Sequence, residues 1–405
     1  NKPLTGSIYG DGPTPRLPDY LFAGQFTSSA GAPGPLYEGN PAVDPSLYNL
    51  DPSRVGDPGY TAYIIVQANK AGTKWWDVAT RNAPIQSHNL SFSSGNDNAR
   101  FLFSGSYFEQ QAITIFQFYK RYTARMNSEF SLLNKKIRIG ENLQFFASEA
   151  NVQGNSAGGN KSNNQEDSDM AHAAGGMAIV PVYNVGGHYA GSKGDWGGKN
   201  PLALLTRKKD NRDNSISLFG NVYGEVDITK GLMFRSSFGG SINTQNTFSF
   251  PIVEFENSLN QNVPTYSESF VRSNNWIFTN TLTWQKQFDK HAVKALAGYE
   301  ATRGSGRQVI GASSQFYTYY YFPYINLGTG STPNLSGSGP FVPVSTASAL
   351  GSVNYAFDDK YLLTALVRRD GSSKFLGKEQ YGIFPAFSLG WRISGEKFMQ
   401  NAAWV

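Results

Sequence analysis

The chain has 405 residues, no cysteine, 14% aromatic residues, 43 glycines, 16% charged residues and a formal net charge of +5. Absence of cysteine excludes structural disulfides, thiolate metal sites and cysteine catalysis. The modest charge, with no basic block beyond "TRKKDNR" at 206–212, argues against a nucleic-acid partner. No run of 18 apolar residues exists, so no transmembrane helix is expected, and the aromatic, glycine-rich profile points to β-structure.

The first twenty residues show no charged start followed by an apolar core, so either the protein is not exported or its beginning is missing. Residues 1–85 are rich in Pro, Gly, Asp and Tyr without a sustained period. They read as an irregular region that closes with a short helical turn around Trp75 to Thr80.

From there the pattern is that of strands, about eleven of them: 86–95, 98–109, 114–132, 136–149, 212–227, 231–246, 270–288, 291–306, 344–357, 360–372 and 380–394. In 212–227, Ile216, Leu218, Val222 and Val226 share one face against Ser217, Asn221, Glu225 and Asp227, although Phe219 and Tyr223 fall on the polar face. In 270–288, Trp276, Phe278, Leu282, Trp284 and Phe288 oppose a Thr and Gln face. Tyr361, Leu363, Ala365 and Val367 likewise oppose Leu362, Thr364, Leu366 and Arg368. Several of these strands match or exceed the ~9–11 residues that cross a bilayer at a tilt.

Tight polar turns at 133–136, 227–231, 288–291 and 357–360 alternate with long loops at 149–211, 247–269 and 307–343. In an up-and-down barrel that alternation puts every short turn at one end and every long loop at the other, the asymmetry of outer-membrane barrels. Phe288, Phe357, Tyr361 and Trp391 cluster at strand ends, as interfacial girdles require. A mean hydropathy of −0.39 is compatible with this, because alternate residues alone face lipid.

The ordered set Asn354-Tyr355, Asp359-Lys360-Tyr361, Arg368-Arg369-Asp370-Gly371-Ser372-Ser373, Phe384-Pro385 and Gly390-Trp391-Arg392 resembles the SusC/RagA family of TonB-dependent outer-membrane transporters of Bacteroidetes. "TKWWDVATRNAPIQSHNLSFSSGNDNARFLFSGSYFEQQAI", "YKRYTARMNSEF" and "IRIGENLQF" resemble that family's earlier strands, so the likeness covers about 74–399. The resemblance implies an all-β, antiparallel transmembrane barrel of about 22 strands, of which 86–400 holds about eleven. The signal peptide, N-terminal extension, plug and TonB box of the family have no counterpart in this sequence, and the chain reads as a fragment of the barrel. The implied activity is import of a large nutrient, a glycan or an oligopeptide, across the outer membrane. A SusD-like lipoprotein would cap the barrel, and TonB would pull on the plug. A cell-surface binding or adhesion protein is the second reading, and a secreted carbohydrate-active enzyme a distant third.

The candidate contact residues follow from these placements. Tyr317, Tyr319, Tyr320, Tyr321 and Tyr324, in an expected outer loop, suit stacking on sugar rings or peptide side chains, or packing within the loop or against a capping lipoprotein. Alternation directs Arg121, Arg125, Glu129, Glu225, Arg235, Arg368 and Arg392 to the lumen, where they would guide substrate, hold the plug or pair between strands. Glu166, Asp167 and Asp169 offer carboxylates for a Ca²⁺ loop, but "NNQEDSDM" lacks the sharp glycine turn and a solvated loop is favoured. "GGMAIVPVYN" (175–184) is expected to fold inward or against a partner. His88, His172, His188 and His291 are too dispersed for metal-ligand spacing, and no hydrolase, metalloprotease or P-loop motif is present, so no enzyme is expected. Asp358-Asp359 reads as a turn former. Two charges defy the pattern: Glu141 and Arg369 share the parity of lipid-facing neighbours, so each must lie near an interface or, for Arg369, on a bulge.

Overall fold

The computed structural model describes residues 17–22, 38, 65–151, 169–184, 187, 189–191, 200–250, 265–316 and 325–399. Two short strands, β1 (Tyr20–Phe22) and β2 (Ile65–Gln67), pair with each other. The remaining eleven strands form one antiparallel meander in which each bonds to its neighbours in sequence. They are β3 (Ile85–Gly95), β4 (Ala99–Gln111), β5 (Phe118–Leu132), β6 (Ile137–Asn151), β7 (Arg212–Thr229), β8 (Leu232–Ser249), β9 (Thr265–Phe288), β10 (His291–Phe316), β11 (Gly330–Phe357), β12 (Tyr361–Ser372) and β13 (Tyr381–Trp391). Three short helices, α1 (Trp75–Ala79), α2 (Asp169–Gly175) and α3 (Pro201–Arg207), lie outside the sheet.

All eleven expected strands are present, but the long loop expected at 307–343 is mostly strand: β10 continues to Phe316 and β11 starts at Gly330. The sequence hides this extension because "GSTPNLSGSGPFVPV" has no apolar face, and register shifts between Gly304 and Gly306 and between Ile310 and Gly311 reset the parity. Pro333, Pro340 and Pro343 are tolerated there because β12 pairs with β11 only from Thr346 onward, leaving the earlier part an edge.

Cross-strand pairing collects the apolar residues on one face. One row runs Val226, Phe234, Leu282, Ala297, Gly351, Val367 and Pro385 through six adjacent pairings. Large side chains on this face stand exposed, Leu389 by 82% and Phe387 by 76%. Left in water, each would forgo about 1.5–3 kcal/mol of burial, so the face requires an apolar medium. The opposite face carries Ser, Thr, Asn, Gln and charged residues.

The tight turns follow from residues that tolerate left-handed backbone. Asp358 and Asp359 have φ of 51° and 54°, and the Lys360 N–H donates to the Phe357 carbonyl at 2.9 Å. Gly231, at φ 85°, could not carry a Cβ, which would meet the Gln285 carbonyl oxygen at 2.3 Å. At the opposite end, α1 forms where the helical turn was expected and joins the sheet: Thr80 bridges Thr114, and the Ile115 N–H donates to the Ala79 carbonyl at 3.1 Å. The segment 175–184 turns inward, burying Ile179 and Val180 with Leu21, Val66 and Trp75. Trp75 Nε1 donates to the Met177 carbonyl at 2.9 Å, and Asn200 caps α3 while donating to the Ala190 carbonyl at 2.8 Å.

Both misfit charges find a place. The ladders from β12 to β11 and to β13 run without a bulge through Arg369, which therefore keeps the parity of Val367; its guanidinium lies 4.0 Å over the Tyr381 ring. Glu141 sits near the turn end of β6 and accepts a hydrogen bond from Ser128.

At the turn end, Phe357 stacks with Tyr361 at 6.2 Å between centroids, His291 packs on Phe288 at 5.3 Å, and Trp391 Nε1 donates to Glu396 at 3.2 Å. Lys360 bridges Asp358 at 3.3 Å and Glu396 at 3.5 Å. Hydrogen bonds from Tyr361 and Trp391 hold the Glu396 carboxyl below the usual range, the Lys360 ammonium does the same for Asp358, and Asp358 in turn raises Lys360.

Depressed carboxyls give stability that is present above about pH 4 and lost as pH falls through their folded pKa values. Hydrogen exchange in the full-length protein should therefore show protection of 393–399 unchanged from pH 7 to about 5 and lost below about pH 4. In unfolding from lipid vesicles, Leu282→Arg on the apolar face should cost about 2–4 kcal/mol, and Ser352→Arg on the polar face far less.

Candidate functional site on the polar face

The polar face is organised by one hydrogen-bonded row that crosses the sheet: Arg100, Glu129, Gly140, Tyr223, Ser237, Thr279, Glu300, Ser348 and Asp370. Because the strands are staggered, the row starts beside the 96–98 turn and lies well above the turns by β9 and β12.

At its lower end Arg138 donates to Glu225 at 2.7 Å and to Asp227 at 2.8 Å. Arg235 bonds the other Glu225 oxygen and sits 4.1 Å over the Tyr223 ring. Tyr223 donates to Glu129 at 2.7 Å, and Glu129 also accepts from Arg100 at 2.6 Å. This explains why Tyr223 stands on a polar face. Its ring covers Gly140, where a Cβ would meet the ring at 2.6 Å.

At the upper end Arg368 donates to Asp370 at 2.6 Å, to Ser348 at 2.9 Å and to Glu300 at 3.2 Å. Between the clusters lies a shallow depression of about 350 Å³ lined by Arg125, Asn127, Asn142, Gln144, Phe219 and Asn221 among others. Phe219, the other aromatic that β7 places on this face, forms part of its wall.

Four of the five arginines expected in the lumen lie on strands of this face. Arg235 and Arg368 are spent on neighbouring carboxylates. Arg125 reaches Gln144 at 2.9 Å and Arg121 lies 5.7 Å over Phe108, with no carboxylate partner for either among the described residues. The fifth, Arg392, follows directly on β13, which ends at Trp391 rather than near residue 394, before a 3-10 turn over Ile393–Gly395. Arg392 donates its N–H to the Lys360 carbonyl at 2.7 Å, one step past the last β12–β13 pair, and is exposed. Tyr317, Tyr319, Tyr320, Tyr321 and Tyr324 lie outside the described residues, as do Glu166 and Asp167, while Asp169 opens α2. Among the described residues no group of three or more His, Asp or Glu side chains is placed to hold a metal ion.

Arg138, Arg100, Glu300 and Asp370 were missed by the sequence reading. Parity alone would have found Arg138, which alternates with the apolar Ile137 and Ile139. Arg138→Gln leaves Glu225 sharing one cation and Asp227 none, and should destabilise the folded protein by about 1–3 kcal/mol in urea unfolding. Arg121→Gln, which abandons no carboxylate, should change stability by less than about 0.5 kcal/mol.

No family model matches the chain. It is 28% identical over 334 residues to TonB-dependent receptor P3 of Formosa agariphila, covering 82% of this chain and 32% of the relative. It is 25% identical over 362 residues to TonB-dependent receptor SusC of Bacteroides thetaiotaomicron, covering 82% of this chain and 33% of the relative. The fold is similar to the structure of the RagAB peptide transporter, with a TM-score of 0.66 at 21% identity over 87% of this chain and 39% of that one. The chain spans about a third of the length of the curated relatives it matches. In sequence the chain is similar to a portion of SusC-type TonB-dependent receptors, and in fold to RagAB, with an unbroken antiparallel meander like that of outer-membrane β-barrels.

Proposed function

We propose that the whole protein imports a large nutrient across the outer membrane, driven through TonB and working with a SusD-like lipoprotein, and that this portion supplies half of the barrel wall. The observation that carries the reading is the division of charge on the inner face. Arg235 and Arg368 are neutralised within the wall, whereas Arg121 and Arg125 project into the lumen without an acidic partner among the described residues. Uncompensated cations on a rigid wall are suited to touch what fills the lumen, either the plug or a passing substrate.

The relatives favour transport over catalysis, since they are called receptors and the similar structure is a peptide transporter. An oligopeptide or a glycan as cargo fits the depression beside Arg125, whose amide side chains and Phe219 offer hydrogen bonds and one apolar surface. The outer-loop tyrosines, Tyr317, Tyr319, Tyr320, Tyr321 and Tyr324, belong to this proposal as substrate contacts.

Cells lacking the gene, complemented with the full-length protein, should accumulate labelled oligopeptides or oligosaccharides in an energised manner, and collapse of the proton gradient or loss of TonB should abolish uptake. Surface binding that continues without any uptake would favour the adhesion reading instead. Within that assay, the double variant Arg121→Gln/Arg125→Gln should lower uptake about tenfold at unchanged barrel stability. Arg235→Gln should instead act chiefly on stability.

A further inference from the structure

The outward face of the sheet is apolar through the crossing and then turns cationic. Arg272 on β9, Arg303 and Arg307 on β10 and Arg369 on β12 all share the parity of the apolar row and all are exposed. Arg272 and Arg307 are direct partners across the β9–β10 ladder, and Arg303 faces Trp276. Two like charges placed directly opposite each other destabilise a sheet unless a counter-charge lies between or above them.

Among the described residues none of the four has an ion pair or a hydrogen-bonded side-chain partner, apart from the Arg369 stack on Tyr381. The first carboxylate met on this face of β8 to β13 is Glu268, four residues further along β9 from Arg272 and engaged by Tyr266 at 3.1 Å. The contrast with the inner face is sharp. There Arg138, Arg235 and Arg368 each find a carboxylate within the wall.

Height decides what these arginines meet. Counting from the short turns, Arg369 is the ninth residue of β12 and Arg303 the thirteenth of β10, while Arg272 and Arg307 each lie seventeenth. A tilted crossing uses ~9–11 residues. The first two therefore lie at or a little above the outer headgroup level, and the other pair stands about six residues beyond the crossing, roughly 14 Å higher, on its water side. Trp276 and Tyr381, at the same level, are the girdle that marks this boundary.

We propose that Arg272, Arg303, Arg307 and Arg369 form a binding site on the barrel's outer wall for the phosphate groups of the glycolipid that fills the outer leaflet, a phosphorylated lipopolysaccharide. Guanidinium forks match phosphate oxygens two at a time, and the opposed pair Arg272/Arg307 presents two such forks to one headgroup. The acyl chains then lie along the apolar strip below, past Trp276, Phe278 and Leu282.

The test uses the full-length protein extracted from outer membranes in mild detergent, with retained glycolipid counted by native mass spectrometry. Folding is checked by heat-modifiable electrophoretic mobility. The wild type should retain phosphorylated glycolipid, and the quadruple variant R272Q/R303Q/R307Q/R369Q should retain about tenfold less or lower still. The corresponding four Arg→Lys changes, which keep the charge and lose the bidentate forks, should retain an amount between those of the wild type and the Gln variant. Should the quadruple variant fail to fold, R272Q/R307Q and R303Q/R369Q separately should each lose about threefold or more.

Undiminished retention by folded Gln variants would overturn the proposal. So would equal binding of enzymatically dephosphorylated glycolipid, or displacement by millimolar inorganic phosphate, which would indicate a site for the free anion.

Discussion

Backbone polar groups have no water to turn to inside a bilayer, and each one left unpaired there costs several kcal/mol. The ladder from β3 to β13 obeys this constraint where it has to. Through the crossing, every pairing keeps step. The register slips occur at Asp227/Thr229, beside a turn, and at Gly304/Gly306 and Ile310/Gly311, beyond the level where the crossing ends. Bulges are permitted only where water can reach the freed groups. The same requirement bears on the sheet's margins: β3 and β13 each have a single bonded neighbour, and a sheet with two free edges is stable in lipid only when further strands close it.

Once the ladder is fixed, side chains have no choice of face, and two solvents sort them. The outer face accepts Trp276, Leu282 and Val367 because lipid does, and it tolerates Arg369 and Glu141 only toward its ends. The inner face holds charge by pairing it. Arg138 with Glu225 and Asp227, and Arg368 with Glu300 and Asp370, satisfy each other across strands, so the wall carries ionic side chains without depending on its contents. Residues that the wall does not neutralise acquire meaning from that background. Arg121 and Arg125 lie on the polar face, whereas Arg272, Arg303, Arg307 and Arg369 lie on the apolar one, and each set lacks a carboxylate partner among the described residues.

Above the membrane the rules change. β9, β10 and β11 run for 24, 26 and 28 residues, far more than a crossing needs, and their upper parts meet water on both faces. Alternation disappears there, Pro and Gly enter, and the chain is held by local clusters. One packs Phe250, Tyr266, Phe316 and Ile325, with Phe250 and Phe316 edge to face at 5.3 Å. Another, around Trp75, Ile179 and Val180, ties segments more than a hundred residues apart into one small core. That core explains the apolar stretch "GGMAIVPVYN", whose burial partners are the distant residues Leu21, Val66 and Trp75.

What the sequence determined by itself was everything governed by period and turn chemistry: eleven strands, which side chains share a face in the crossing, the Asp358-Asp359 turn, and the division into short and long connections. These are local properties, written in alternation of period two and in residues that accept positive φ. Tertiary structure decided the rest, because it depends on stagger and on contacts between strands far apart in sequence. Stagger sets which charges meet, bringing Glu225 between Arg138 and Arg235 and Arg368 beside Glu300, and no single-strand pattern reveals it. It also settled Arg369, which alternation left between an interface and a bulge, by running both ladders through it in step, and it ended β13 at Trp391. Where lipid gives way to water the selective pressure for alternation ends, so the true length of β10 and β11 was visible only in the fold.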